Sequence, residues 1–265
     1  MRIGERIWLA AETVAKERES GNDWALNSAN TLAVREFLSC RDGGVIDSAA
    51  LHPDAVGACE LDAFIGLSMR GGLLGHIWNS GWDPDAVAAV ERTLGRVGAV
   101  EHQAVFREVV ARIDADPEER DLLLEWEVLP GALDRDLRGL WSSELEGDLF
   151  DVLDLIEAFL AGHPDLAIVP EAELAELRAE AGALPTRPHR VTRRYVAVVQ
   201  AACAAAGLEL SGIQERDPQF PFEGEPRRSV SFLAEDGRRY RAVVLGDRTA
   251  LVDDEGMEVL RFATP

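Results

Sequence analysis

The chain has 265 residues, 47% hydrophobic and 28% charged, which are ordinary values for a folded protein and exclude wholesale disorder. No apolar run approaches the roughly 20 residues a membrane helix needs, and the charged N-terminus lacks a signal-peptide pattern. The net charge is −21, so phosphates and anionic lipids are repelled at long range. Direct nucleic acid binding and membrane attachment are therefore not expected, whereas attraction to basic proteins is. Cys40, Cys59 and Cys203 are odd in number and widely spaced, which gives neither a disulfide framework nor a CxxC metal site. A cytoplasmic, reduced protein is expected, with the cysteines as small core residues.

Up to Leu184 the pattern is helical. Five Pro-acid pairs recur: Pro53-Asp54, Pro84-Asp85, Pro117-Glu118, Pro164-Asp165 and Pro170-Glu171. Proline suits the first helical turn and an acid there faces the positive end of the helix dipole, so at least four pairs should open helices. Two of them lie in identical tripeptides, His52-Pro53-Asp54 and His163-Pro164-Asp165, both read as helix entries. One helix should run from about Pro84 to Arg96 and end at Gly98. Another should run from Asp148, as N-cap, to Leu160. It places Leu149, Val152, Leu153, Ile156, Phe159 and Leu160 on one face and Asp151, Asp154 and Glu157 away from it. No segment before residue 184 alternates as a strand does.

The stretch from Ala181 to His189 holds a glycine and two prolines and reads as a linker. Beyond it, a helix over about Val191–Ala206 precedes short alternating runs. Val230, Phe232 and Ala234 form one, and Tyr240, Ala242 and Val244 another. Asp236-Gly237, Gly246-Asp247 and Glu255-Gly256 mark turns, with Met257, Val259, Leu260 and Phe262 as the last strand. Gln214–Arg228 carries three prolines and reads as a loop. The expected fold is mainly α. An acidic multi-helix domain covers residues 1–184. A small α+β domain, one helix on three or four antiparallel strands, covers residues 185–265.

The charge follows this boundary. Residues 1–184 carry 15 basic and 36 acidic residues, and residues 185–265 carry 12 of each. The densest stretch, residues 114–157, holds 15 acids against three arginines. Its Asp114, Asp116, Glu118, Glu119, Asp121, Glu125, Glu127, Asp134, Asp136, Glu144, Glu146, Asp148, Asp151 and Asp154 form the expected partner-binding surface. Some should instead cap helices. All six tryptophans lie before Leu184; at helical positions they are more often core, and Trp82 and Trp126, with charged neighbours, are the candidates for partly exposed anchors.

The histidines show no HExxH or other compact ligand spacing, and neither a GxSxG elbow nor a Walker loop is present. No catalytic residue, metal or cofactor is expected, and the chain is read as a non-enzyme. A rival enzyme reading would use a shallow site near His76 and Asn79.

One stretch is more distinctive: Arg70-Gly71-Gly72-Leu73-Leu74-Gly75-His76-Ile77-Trp78-Asn79-Ser80-Gly81, then an amphipathic helix from Asp85 to Leu94 and Val97-Gly98-Ala99. With Leu133–Leu137 and Asp148–Asp165, it resembles the DNA-mimic protein family of acidic, largely helical bacterial proteins over about residues 50–165. Gly71, Gly72, Asn79, Ser80 and Gly81 carry the motif, in a structural role. Gly81 comes one place early, and Arg70, Leu73 and Gly75 depart from the family's Asn, Phe and Gln. The resemblance implies occupation of the DNA-binding face of a regulator or nucleoid protein. Carboxylates on successive turns recur about every 5.4 Å and can imitate a phosphate row. The alternative is an immunity-type protein that neutralises one toxin, bound through a buried cluster rather than by charge.

Overall fold

The computed structural model describes residues 2–39, 45–80, 82–141, 147–184, 186–187 and 193–265. The chain divides into two compact units. One comprises residues 1–111 and 137–190, the other residues 112–136 and 191–265.

The first unit opens with β1 (Ile7–Ala10), α1 (Ala11–Glu19) and α2 (Ala25–Leu38), followed by β2 (Val45–Ile46). The long α3 (Pro53–Ser80) and α4 (Pro84–Val97) come next, then α5 (Val100–Asp114), α6 (Pro117–Glu125) and α7 (Gly131–Leu140). α8 (Leu149–Ala161), β3 (Leu166–Val169), α9 (Glu171–Ala181) and β4 (Thr186–Arg187) complete it, apart from α6 and its flanks. The unit boundary cuts through α5 and α7.

Four Pro-acid pairs open helices as expected, at α3, α4, α6 and α9. The fifth, Pro164-Asp165, leads instead into β3. β3 pairs in parallel with β1, Ile7 opposite Leu166, so two strands exist where none was expected. Ile7 and Leu9 on one face and Ala10 on the other are buried, and a strand covered on both faces shows no alternation. Val45–Ile46 and Thr186–Arg187 form a further short antiparallel pair, which takes up part of the expected linker.

The helices of this unit lock through polar seams as well as apolar ones. Asn27 Nδ2 and Thr31 Oγ1 of α2 donate to Asp62 of α3 at 2.8 and 3.2 Å, and Asn30 Nδ2 donates to the Ala55 carbonyl at 2.9 Å. α4 is capped as its sequence dictates. Asp83 accepts from Asp85 N at 2.9 Å, and Gly98 closes the helix at φ 88°. An aromatic cluster of Phe64, His76, Trp82, Phe106 and Trp141 fills the core with edge-to-face contacts.

In the second unit α10 (Arg194–Ala206) packs on a five-stranded antiparallel sheet, consecutive in order. Its strands are β5 (Leu210–Phe222), β6 (Glu225–Ala234), β7 (Arg239–Val244), β8 (Arg248–Asp253) and β9 (Glu258–Ala263). Gly237, Gly246 and Gly256 adopt φ near +80° at the expected turns. The segment expected as a loop is instead most of β5 and the start of β6. Pro218 and Pro221 are tolerated because β5 is an edge strand, and its register shifts between Asp217 and Phe220. Glu223 and Gly224 both have positive φ in the tight turn between β5 and β6.

Trp126 is 1% exposed and packs with Tyr195, Val198, Phe232 and Leu251. This burial explains why residues 112–136 group with the sheet, although a single break after Leu184 would have placed them with the N-terminal helices. Among the described residues no helix is long and apolar enough to cross a membrane.

Candidate partner-binding surface

The fourteen expected carboxylates fall into separate environments. Nine belong to the second unit, where arginines meet most of them. Arg112 Nη2 pairs with Glu119 at 2.8 Å and its Nε with Asp136 at 2.5 Å. Arg120 pairs with Asp114 at 3.1 Å. Arg228 pairs with Asp121 and stands 3.7 Å from Glu118. Arg216 pairs with Glu127 at 3.0 Å. Glu125 accepts the backbone N–H of Arg194 at 3.2 Å. Asp116 is spent as a cap, accepting from Glu118 N and Glu119 N at 2.9 and 3.1 Å. Asp134 is half-buried. Four arginines thus meet six of these nine carboxylates, so the segment is acidic in sequence but partly compensated in space.

Glu144 and Glu146 lie outside the described residues, as do Gly81 and Cys40. The last three carboxylates sit on α8, in the first unit. Asp148 occupies the N-cap position without a side-chain cap bond, and Asp151 is exposed. Asp154 accepts the Trp24 indole N–H at 2.7 Å. Among the described residues no basic side chain pairs with these three. Glu157, expected merely to face away from the core, caps another helix. Its two oxygens accept Leu26 N and Asn27 N at 3.0 and 2.9 Å, at the start of α2.

The two tryptophans take the core alternative. Trp82 is 5% exposed and Trp126 is 1% exposed, because both fill cores. The aromatic pair that does reach the surface is Trp24 and Phe150, stacked with ring centroids 5.8 Å apart. Phe150 follows Leu149 on α8 and points away from that helix's apolar stripe, which is the signal the sequence offered.

The glycine motif acts on the backbone. Gly72 has φ 63° and ψ −172°, which breaks α3 and lets a second helical segment begin at Leu73. Asn79 Nδ2 donates to the Gly75 carbonyl at 2.7 Å, and Ser80 Oγ accepts from Trp82 N at 3.1 Å. His76 is buried against Phe64 and Trp82, and burial lowers its pKa to about 4. It offers no open site beside the exposed Asn79. Burial likewise pushes the Cys59 thiol up to about 12 and raises that of Cys203.

The two His-Pro-Asp tripeptides meet. His163 Nδ1 accepts the Asp165 N–H at 3.2 Å, and its Nε2 lies 3.0 Å from Asp54 Oδ2. His52 Nδ1 accepts the Asp54 N–H at 3.2 Å, and its Nε2 lies 3.7 Å from Asp165. Arg96 binds the other oxygen of Asp54. A pocket of about 450 Å³ opens here, walled also by Phe159 and the two prolines. The two tripeptides are thus held against each other through Asp54 and Asp165. Among the described residues no group of three or more His, Cys, Asp or Glu could hold a metal.

The glycine break, the Asn79-Ser80 turn into α4 and the closing helix α8 occur in one contiguous stretch. Residues 49–163 match the model of the DMP19-like protein family. No curated protein and no solved structure matches the chain. The DMP19-like region begins just before α3 and ends just after α8. It includes every expected partner-binding carboxylate and the glycine motif, while α1, α2, β3, α9 and the five-stranded sheet lie outside it. His52 and His163, in mutual contact, stand at its two ends.

Proposed function

We propose that this chain is a non-enzymatic acidic protein that occupies the DNA-binding face of a basic, DNA-binding protein. The observation behind this reading is the DMP19-like match over residues 49–163 in a chain of net charge −21. The resemblance supplies DNA mimicry, and the physics agrees with it. A basic surface that evolved to meet phosphates is drawn by long-range attraction to carboxylates fixed on rigid helices. Asp148, Asp151 and Asp154 of α8 are the best placed of the expected carboxylates, since no described arginine competes for them. The compensated carboxylates of α6 and its flanks hold that segment to its own unit and contribute less to the outer field.

The test uses the tagged full-length chain in nuclease-treated native lysate. Proteins retained at low salt are then challenged with high salt and, separately, with duplex DNA. DNA-binding proteins released by both treatments are the expected result. A single stoichiometric partner that survives high salt and ignores duplex DNA would overturn mimicry and establish a dedicated inhibitor, such as one directed at a toxin.

A further inference from the structure

Three times among the described residues an arginine lies over an aromatic ring while pairing with a carboxylate. Arg96 stands 5.4 Å over Phe159 and binds Asp54. Arg216 stands 4.9 Å over Tyr195 and binds Glu127. Arg241 stands 4.4 Å over Phe220 and binds Glu215 at 3.3 Å. The guanidinium suits this arrangement because it is planar and weakly hydrated. Its faces stack while its edge donates to a carboxylate.

A fourth place offers the ring and the carboxylates with no arginine among the described residues. Trp24 and Phe150 stack at 25° between planes, and Phe150 is 48% exposed. The indole bond to Asp154 Oδ1 fixes ring and carboxylate in one geometry. Asp23 beside Trp24, and Asp148 and Asp151 beside Phe150, are exposed and meet no described basic side chain. Phe150 is thus the ring open to solvent, with Trp24 half-buried beneath it. The surrounding charge selects a cation.

We propose that the Trp24–Phe150 pair is the docking site for an arginine side chain of the partner protein. The inference rests on the function proposed above and names the chemistry of its anchor. DNA-binding surfaces present arginine to phosphates and base edges, so such a partner carries the required group. Lysine fits less well, because its compact ammonium is strongly hydrated and cannot stack.

The test measures binding of the full-length chain to two labelled peptides of equal length and charge, one of arginine and alanine, one of lysine and alanine. The arginine peptide is expected to bind about tenfold tighter. Phe150→Ala should bring it down to the lysine level without moving the lysine peptide, and Phe150→Tyr, which keeps a ring, should retain the preference. Equal affinities, or no effect of Phe150→Ala, would overturn the docking site and leave a basic partner standing. Binding of neither peptide at low salt would overturn the basic-partner reading, and the docking site with it.

Discussion

Gly72 sits where only glycine is at ease, with φ 63° and an extended ψ. A Cβ there strains the backbone, so Gly72→Ala should cost about 2 kcal/mol in urea unfolding. His76 makes a second single-residue prediction. Its ring is 3% exposed and its pKa is lowered by burial from 6.5 to about 4. Between these values the unfolded chain takes up a proton that the folded protein refuses. The stabilising contribution is therefore complete above pH 6.5 and is lost as the pH falls toward 4, by roughly 3 kcal/mol in all. His76→Leu should flatten this acid limb when unfolding midpoints are compared at several pH values. A limb as steep as that of the unmodified protein would refute the assignment.

At the scale of elements, α2 depends on a side chain from elsewhere. Glu157 supplies two acceptors to its orphan N–H groups and a negative charge at its positive end. Glu157→Gln should cost about 1 kcal/mol and Glu157→Ala more, since the latter leaves Leu26 N and Asn27 N without acceptors. In the second unit, Trp126→Ala should cost about 4 kcal/mol. Hydrogen exchange should show lost protection in α10 and β6, with α2 unchanged; loss spread over α2 as well would contradict the division into units. Local signals made much of this architecture legible: Pro-acid entries, the Gly98 cap, the Asp236-Gly237 turn and the stripe of α8. The parts that stayed hidden depend on distant chain. β1 and β3 are four residues each and make sense only when paired across the unit. β5 keeps its prolines because it is the edge strand of the described sheet. In the candidate surface, residue type and position were readable but not compensation, because Arg194, Arg216 and Arg228 reach their carboxylates from 69, 89 and 107 residues away.

For the whole molecule, charge is the governing quantity. Duplex DNA packs one charge per roughly 1.7 Å and holds a condensed counterion layer whose release drives binding. This chain spreads −21 over 265 residues and meets many carboxylates with its own arginines. Affinity for its partner should fall as salt rises, with a log–log slope shallower than that of the same partner on DNA. Titrations of both complexes over a salt series would check this, and equal or steeper dependence would contradict it. The crossed His-Pro-Asp tripeptides bear on how such a protein can be assembled. They bring residues 52–54 against residues 163–165, so the DMP19-like stretch leaves the fold where it enters it. A segment whose ends meet can be spliced into a foreign loop, or permuted to begin elsewhere, without stretching its host. The clasp closes the two ends of this stretch on the first unit, while its residues 112–136 are committed to the second.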